Sequence, residues 1–285
     1  MSFITAADST KIFFQDAGEG EPVVLIHGWP VNADMWENQS LALVERGYRV
    51  ISYDRRGFGR SDKPAKGYDY DTFASDLDQL ISQLKLEGVS LVGFSMGGGE
   101  VARYLAKFGS ARVAKVAFIS SVVPYLLQAH DNPDGVPIKA FDDMITGLRD
   151  DRPKFLTDFA KLFFGVGMLS SPVSQETLQW ISNLAMQASL KATLDCVRAF
   201  SETDFRADLR FCKVPTLIVH GTGDKTVPIK PTAEAAAKLI PHAKLIRYEG
   251  APHGLFITHK DELNRDLVAF LKHPLVGEVS ESRTA

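Results

Sequence analysis

The sequence predicts an α/β fold: a mostly parallel central sheet with helices on both faces and one helical insertion. Three observations predict it. Short apolar runs of strand length alternate with helical stretches along most of the 285 residues, as parallel strands joined by crossover helices do. The alternation stops after Ser121 and resumes at "VPTLIVHG", with only helical patterns between. One strand, "VSLVGF", runs into a serine and then directly into a helix that opens on glycines.

The elements follow in order. "SFITAA" and "KIFFQDAG" flank the turn "DST" and read as a hairpin. "PVVLIH" is an apolar run ending at Gly28, as a buried strand would. A helix is expected from about Asp34 to Arg46, with Gly47 as its stop. "RVISYD" is the next strand and "DTFASDLDQLISQLKL" the next helix, with Asp71 as its N-cap. "VSLVGF", "MGGGEVARYLAKF" and "VAKVAFISS" read as strand, helix and strand. Helical patterns such as "AFDDMITGL", "PKFLTDFAKLFFG" and "SQETLQWISNLAMQA" then fill residues 122–210. The rhythm returns with the strand "VPTLIVHG", the helix "PTAEAAAKLI", the strand "AKLIRYEG" and the helix "KDELNRDLVAFLKH". The expected division is a core of residues 1–121 and 211–273, a helical cap of 122–210, and a polar tail of 274–285. An insertion at that place can lie over the strand ends, where open α/β sheets hold ligands.

Composition excludes several classes. Hydrophobic residues at 45% and charged residues at 24% suit a globular domain with a sizeable core. A formal net charge of −3, with no Lys/Arg run, gives no footprint for nucleic acid or an anionic membrane. "DRRGFGR" carries its own acid, Asp54, for which a structural ion pair is expected. The N-terminus lacks the pattern of a signal peptide, and no apolar run reaches the length of a membrane span. Cys196 and Cys212 form no disulfide framework and read as buried thiols. A cytoplasmic enzyme fits all of this.

Gly93-Phe94-Ser95-Met96-Gly97 matches G-x-S-x-G in its proper setting, between an apolar strand and a helix. Each glycine weakens a helix by about 1 kcal/mol against alanine. The reward is a sharp turn that presents Ser95 at the strand end, in a sparsely allowed conformation. A serine hydroxyl is a weak nucleophile and needs a base, which an acid must orient. In this kind of fold they come in the chain order serine, acid, histidine. Of seven histidines, His130, His242, His259 and His273 fall on loops or helices and read as surface. His220 ends a strand, where a structural hydrogen bond is expected. His253 stands in "EGAPHG", a tight loop after a strand, and is the candidate base. Asp224, in the loop after "TLIVHG", is the candidate acid. Backbone N–H groups must face the developing oxyanion. Met96 and Trp29 are the candidates, because Pro30 has no N–H to give. Pro30, Phe94 and Phe164 are candidate substrate contacts; Phe155, Phe163 and Trp180 are further aromatics that a pocket could use.

"HGWPVNADMW", "YDRRGFGRSDKP", "LVGFSMGGGEVARY", "GTGDKTVP" and "GAPHG" together resemble the α/β-hydrolase superfamily. Within it the chain is similar to the cofactor-free haloperoxidases and aryl esterases (perhydrolases), from about residue 2 to residue 273. The resemblance implies a Ser-His-Asp enzyme, Ser95, His253 and Asp224, that hydrolyses small esters through an acyl-serine without metal, haem or other cofactor. With hydrogen peroxide in place of water the acyl group would leave as a peracid, and Pro30 after Trp29 matches the haloperoxidase-type members. The implied partner is a small-molecule ester, with homo-oligomers common in the family.

Other readings are weighed against this one. Gly97-Gly98-Gly99-Glu100-Val101-Ala102 formally fits a dinucleotide fingerprint, but Phe94, Ser95 and Met96 separate it from its strand. No carboxylate stands about 20 residues on, where a ribose acid belongs. A non-catalytic protein of this fold would be expected to have lost one of the three residues. A lactamase or a carbon–carbon bond hydrolase would use the same three. "HGLFITH" has no convincing metal-ligand spacing.

Overall fold

A computed structural model describes residues 2–167 and 171–272. His273 and the expected tail, 274–285, lie outside the described residues. The sheet has eight strands among those residues, in the order β1-β2-β4-β3-β5-β6-β7-β8. They are β1 (Ser2–Thr5), β2 (Lys11–Ala17), β3 (Pro22–Ile26), β4 (Arg49–Tyr53), β5 (Val89–Phe94), β6 (Val113–Ile119), β7 (Thr216–Gly221) and β8 (Lys244–Tyr248). β1 and β2 form the expected antiparallel hairpin, and β2 pairs antiparallel with β4. All further pairings are parallel. The central strands are covered on both faces, which is why β3, β5 and β7 are nearly continuous apolar runs.

The chain enters the parallel part at β3, turns one way to β4, then crosses back to β5 on the other side of β3. That reversal leaves a crevice at the carboxyl ends of β3 and β5, the usual ligand position in open α/β sheets. The loop with Trp29 and the turn with Ser95 both emerge there.

The helices are α1 (Glu37–Val44), α2 (Tyr70–Gln83), α3 (Met96–Phe108), α4 (Ile138–Asp150), α5 (Arg152–Phe163), α6 (Gln175–Met186), α7 (Leu190–Glu202), α8 (Ala235–Leu239), α9 (Leu255–Thr258) and α10 (Lys260–Lys272). Two expectations shift. The helix expected from Asp34 begins as a 3₁₀ turn, Ala33–Trp36, that the Asn32 side chain caps. The N-cap of α2 is Asp69, not Asp71: Asp69 is extended and accepts from the Thr72 N–H, while Asp71 faces Arg103 at 2.6 Å. A π-helical turn, Lys230–Glu234, precedes α8.

Among the described residues four α-helices, α4 to α7, lie between β6 and β7. The sequence patterns pointed to three of them; α7 was not among them. Long-range bonds tie this block down. Trp29 Nε1 donates to the Thr193 carbonyl at 3.1 Å, and the Ser189 N–H donates to the Gly57 carbonyl at 2.8 Å. Among the described residues no helix is long and apolar enough to cross a membrane.

Candidate active site

Ser95 sits between β5 and α3 with φ 52° and ψ −118°. A non-glycine residue there is strained, by about 1–3 kcal/mol. The surroundings hold it. Its N–H donates to the Ile119 carbonyl at 2.9 Å, and its carbonyl accepts from Gly98 N at 3.0 Å. The glycines are there because nothing larger fits. A Cβ on Gly93 would come within 2.6 Å of the Gly97 carbonyl oxygen, and one on Gly97 within 2.5 Å of that of Ile26. One on Gly28 would meet the Phe94 ring at 2.6 Å. Gly98 lies against the Ser121 side chain, and Gly99 against Tyr70 and Phe205. The helix therefore starts close against both neighbouring strands.

His253 follows β8, and Asp224 follows β7. The two loops are pressed together where Gly221 and Gly223 meet the backbone of Ala251 and Gly250, with no room for a Cβ. Gly223 N donates to the Ala251 carbonyl at 3.1 Å. This brings His253 Nδ1 to 2.6 Å from Asp224 Oδ2. His253 Nε2 is 3.0 Å from Ser95 Oγ. A carboxylate only accepts, so Nδ1–H donates to Asp224, and Nε2 is left to accept from the serine hydroxyl. The imidazole is buried, with Phe94 and Phe163 each 4.9 Å away between ring centroids.

Burial alone would raise the Asp224 carboxyl. Its contacts with His253 and His220 outweigh that and hold it well below the usual carboxylate range. Oδ1 accepts from the backbone N–H groups of Thr226 and Val227, at 2.9 and 2.8 Å. The acid is thus ionised and fixed at both oxygens.

Ser95 and His253 open on a cavity also lined by Trp29, Val122, Phe141, Met144, Phe159 and Phe200. Its volume, counted as space open to the centre of a water molecule, is about 30 Å³. On the same measure an outer cavity of about 360 Å³ adjoins it, reaching Phe155, Asp158, Leu162 and Lys225. Phe141, Met144, Phe159 and Thr226 line both and form the waist between them.

Several expected substrate contacts fall elsewhere. Phe94 is packed behind the imidazole, against Trp36, Phe163 and Phe256, because the side chain before the serine points back into the core. Phe164, at the end of α5, packs on Phe163 and Phe256 and borders a separate surface groove. Pro30 is buried after a cis peptide bond with Trp29 and is not among the cavity's lining residues. Of the other aromatics considered, Phe155 lines the outer cavity, Phe163 covers His253, and Trp180 packs against the core. Phe141, Phe159 and Phe200 form the inner wall instead; helix-spaced aromatics gave no sign of which face would point inward.

Beneath the site lies a buried polar cluster that the motifs did not reveal. Arg55 pairs with Glu100 of α3 at 2.7 Å, and Tyr53 donates to the same carboxyl. Arg55 also donates to His27 twice, from Nη2 to its carbonyl and from its backbone N to Nε2, each at 2.9 Å. Burial pushes the Glu100 carboxyl up despite the opposite charge of Arg55. Asp54 forms the expected structural pair, with Arg60 at 2.8 Å, and also accepts from Ala33 N. Together these groups fix the loop that carries Trp29. His220 makes a structural bond, to the Val227 carbonyl at 2.8 Å. Cys196 and Cys212 are buried thiols. Among the described residues no group of His, Cys, Asp and Glu side chains is arranged to hold a metal ion.

A family described as the alpha/beta hydrolase fold matches residues 21–260. A non-heme chloroperoxidase of Streptomyces lividans is 44% identical, over 95% of this chain and 100% of the relative. A bifunctional esterase/perhydrolase of Acinetobacter calcoaceticus is 39% identical over the same shares of each. Among solved structures, a bromoperoxidase from Bacillus anthracis superimposes with a TM-score of 0.92, at 48% identity, over 95% of this chain and 100% of that one.

Proposed function

The chain belongs to the α/β-hydrolase family, and from that membership we propose its chemistry: a serine esterase of small carboxylic esters, with perhydrolysis as a second outcome of the same acyl-enzyme. The observation that carries the reading is the line Ser95 Oγ–His253 Nε2, His253 Nδ1–Asp224 Oδ2, at 3.0 and 2.6 Å.

In this reading Ser95 Oγ attacks the ester carbonyl while His253 Nε2 takes its proton. Asp224 holds the ring in the right tautomer and stabilises the imidazolium. The carbonyl oxygen becomes an oxyanion and is received by the N–H groups of Met96 and Trp29. Met96 opens α3, where the first N–H groups have no partner within the helix and the helix dipole favours negative charge. Trp29 lines the same cavity as Ser95. The tetrahedral intermediate collapses, and the imidazolium proton leaves with the alcohol. Water, activated by His253, then releases the acid. Hydrogen peroxide attacking the same acyl-serine gives a peracid and restores the serine hydroxyl, with atoms balanced and no redox change at the protein. Of the described residues, 122–167 and 171–210 act as the cap over the core of 2–121 and 211–272. The small inner cavity supports a short acyl group.

Mass spectrometry of the protein quenched during turnover of small aryl esters tests this. An acyl mass shift on the peptide with Ser95 is expected, absent in Ser95→Ala. A shift on another residue would overturn it.

A further inference from the structure

Two histidines reach Asp224, and the reaction above uses only one of them. We propose that His220 is a positioning residue for the acid, clamping the turn that holds Asp224. The proposal rests on the reading of Asp224 as the catalytic acid.

His220 lies near the end of β7, wholly buried. Its Nε2 is 2.8 Å from the Val227 carbonyl oxygen. A carbonyl can only accept, so Nε2 carries a proton and donates it. Val227 is thereby held from both sides: its carbonyl by His220, and its N–H by Asp224 Oδ1 at 2.8 Å. The N–H of Thr226 joins the same oxygen at 2.9 Å. The turn 224–227 is closed into a ring of hydrogen bonds, with the imidazole as its fixed post on the sheet.

The ring also faces the acid directly. His220 Nε2 stands 3.3 Å from Asp224 Oδ2, the oxygen that accepts from His253. Its hydrogen points at Val227, so this is a contact with the positive edge of the ring rather than a second full bond. That edge keeps Oδ2 from turning away from His253. Among the described residues the buried His220 Nδ1 has no hydrogen-bond partner, so the ring is held by its Nε2 edge. Burying an unsatisfied nitrogen is unfavourable, and an aliphatic side chain would avoid it. This one ring both pins Val227 and presents a donor edge to the acid.

The test is a double-mutant cycle on aryl acetate hydrolysis, with kcat expressed per Ser95 site titrated by a fluorophosphonate. His220→Leu is expected to lower kcat about tenfold, the effect of one ordinary hydrogen bond, with KM little changed. His220→Gln, whose amide N–H reaches the place of Nε2, is expected to recover most of that loss. In the Asp224→Asn background His220→Leu is expected to cost almost nothing more, because its effect passes through the acid. Should His220→Leu not fold, His220→Asn takes its place, since its amide is too short to reach Val227. Equal losses in both backgrounds, or no recovery with Gln, would overturn the proposal. A near-normal kcat in Asp224→Asn alone would instead overturn the assignment of the acid, and this proposal with it.

Discussion

Phe159→Ala is expected to change which acyl chains the enzyme accepts. The Phe159 ring stands edge-on to Trp29 at 5.2 Å and forms part of the waist between the two cavities. Inside the waist about 30 Å³ is open, room for roughly two or three water-sized groups. An acetyl group fits; a hexanoyl group, four methylenes longer, must thread the waist. Removing the ring joins the inner space to the outer cavity of about 360 Å³. Each buried methylene contributes about 0.8 kcal/mol, so four contribute at most about 3 kcal/mol. That is about two powers of ten in relative kcat/KM. The assay is kcat/KM for p-nitrophenyl acetate, butyrate and hexanoate with both proteins. The hexanoate-to-acetate ratio should rise steeply in the variant. Phe159 is only partly buried, so the loss of fold stability should stay below the 3–5 kcal/mol of a fully buried Phe. An unchanged ratio in a folded variant would refute the idea that this ring limits the acyl site.

Three more outcomes are expected. Ser95→Ala should leave only the rate that the oxyanion donors and binding provide, on the order of 10³–10⁴ over the uncatalysed reaction; most of the wild-type rate remaining in aryl acetate assays would exclude the nucleophile. Glu100→Ala leaves Arg55 buried without its carboxylate and should cost about 3–5 kcal/mol in urea unfolding, and a loss under about 1 kcal/mol would show that the pair does not hold the site loop. His253 and His220 hold the Asp224 carboxyl of the folded protein well below the usual carboxylate range of about 4. Its contribution to stability is therefore present above that range and is lost as pH falls through the folded pKa. The urea midpoint of the wild type should drop below about pH 4, and that of Asp224→Asn should drop less; parallel curves would count against the shift.

The parts legible in the sequence are those set by local periodicity and by the ends of strands. β3, β5 and β7 are buried on both faces, so they read as apolar runs, and each is followed by a site loop at its carboxyl end. The glycines around Ser95 were legible for the same reason, since a close backbone approach leaves a mark in the residue itself. The illegible parts depend on partners far along the chain. Asp69 and Asp71 are equivalent caps by composition; Arg103, a helix away, takes one and leaves the other. His27, Arg55 and Glu100 meet only once β3, β4 and α3 are in place. The cavity wall is the clearest case. Phe159 and Phe163 lie one helical turn apart on α5, yet one lines the cavity at Ser95 and the other covers the imidazole. What separates them is the angle at which α4 to α7 rest on the core, fixed by bonds such as Trp29 to Thr193. A periodicity gives a helix its apolar face but not the direction that face is aimed. The meeting of Ser95, His253 and Asp224 was thus legible from strand ends, whereas the lining of the cavity beside them required the packing of the insertion.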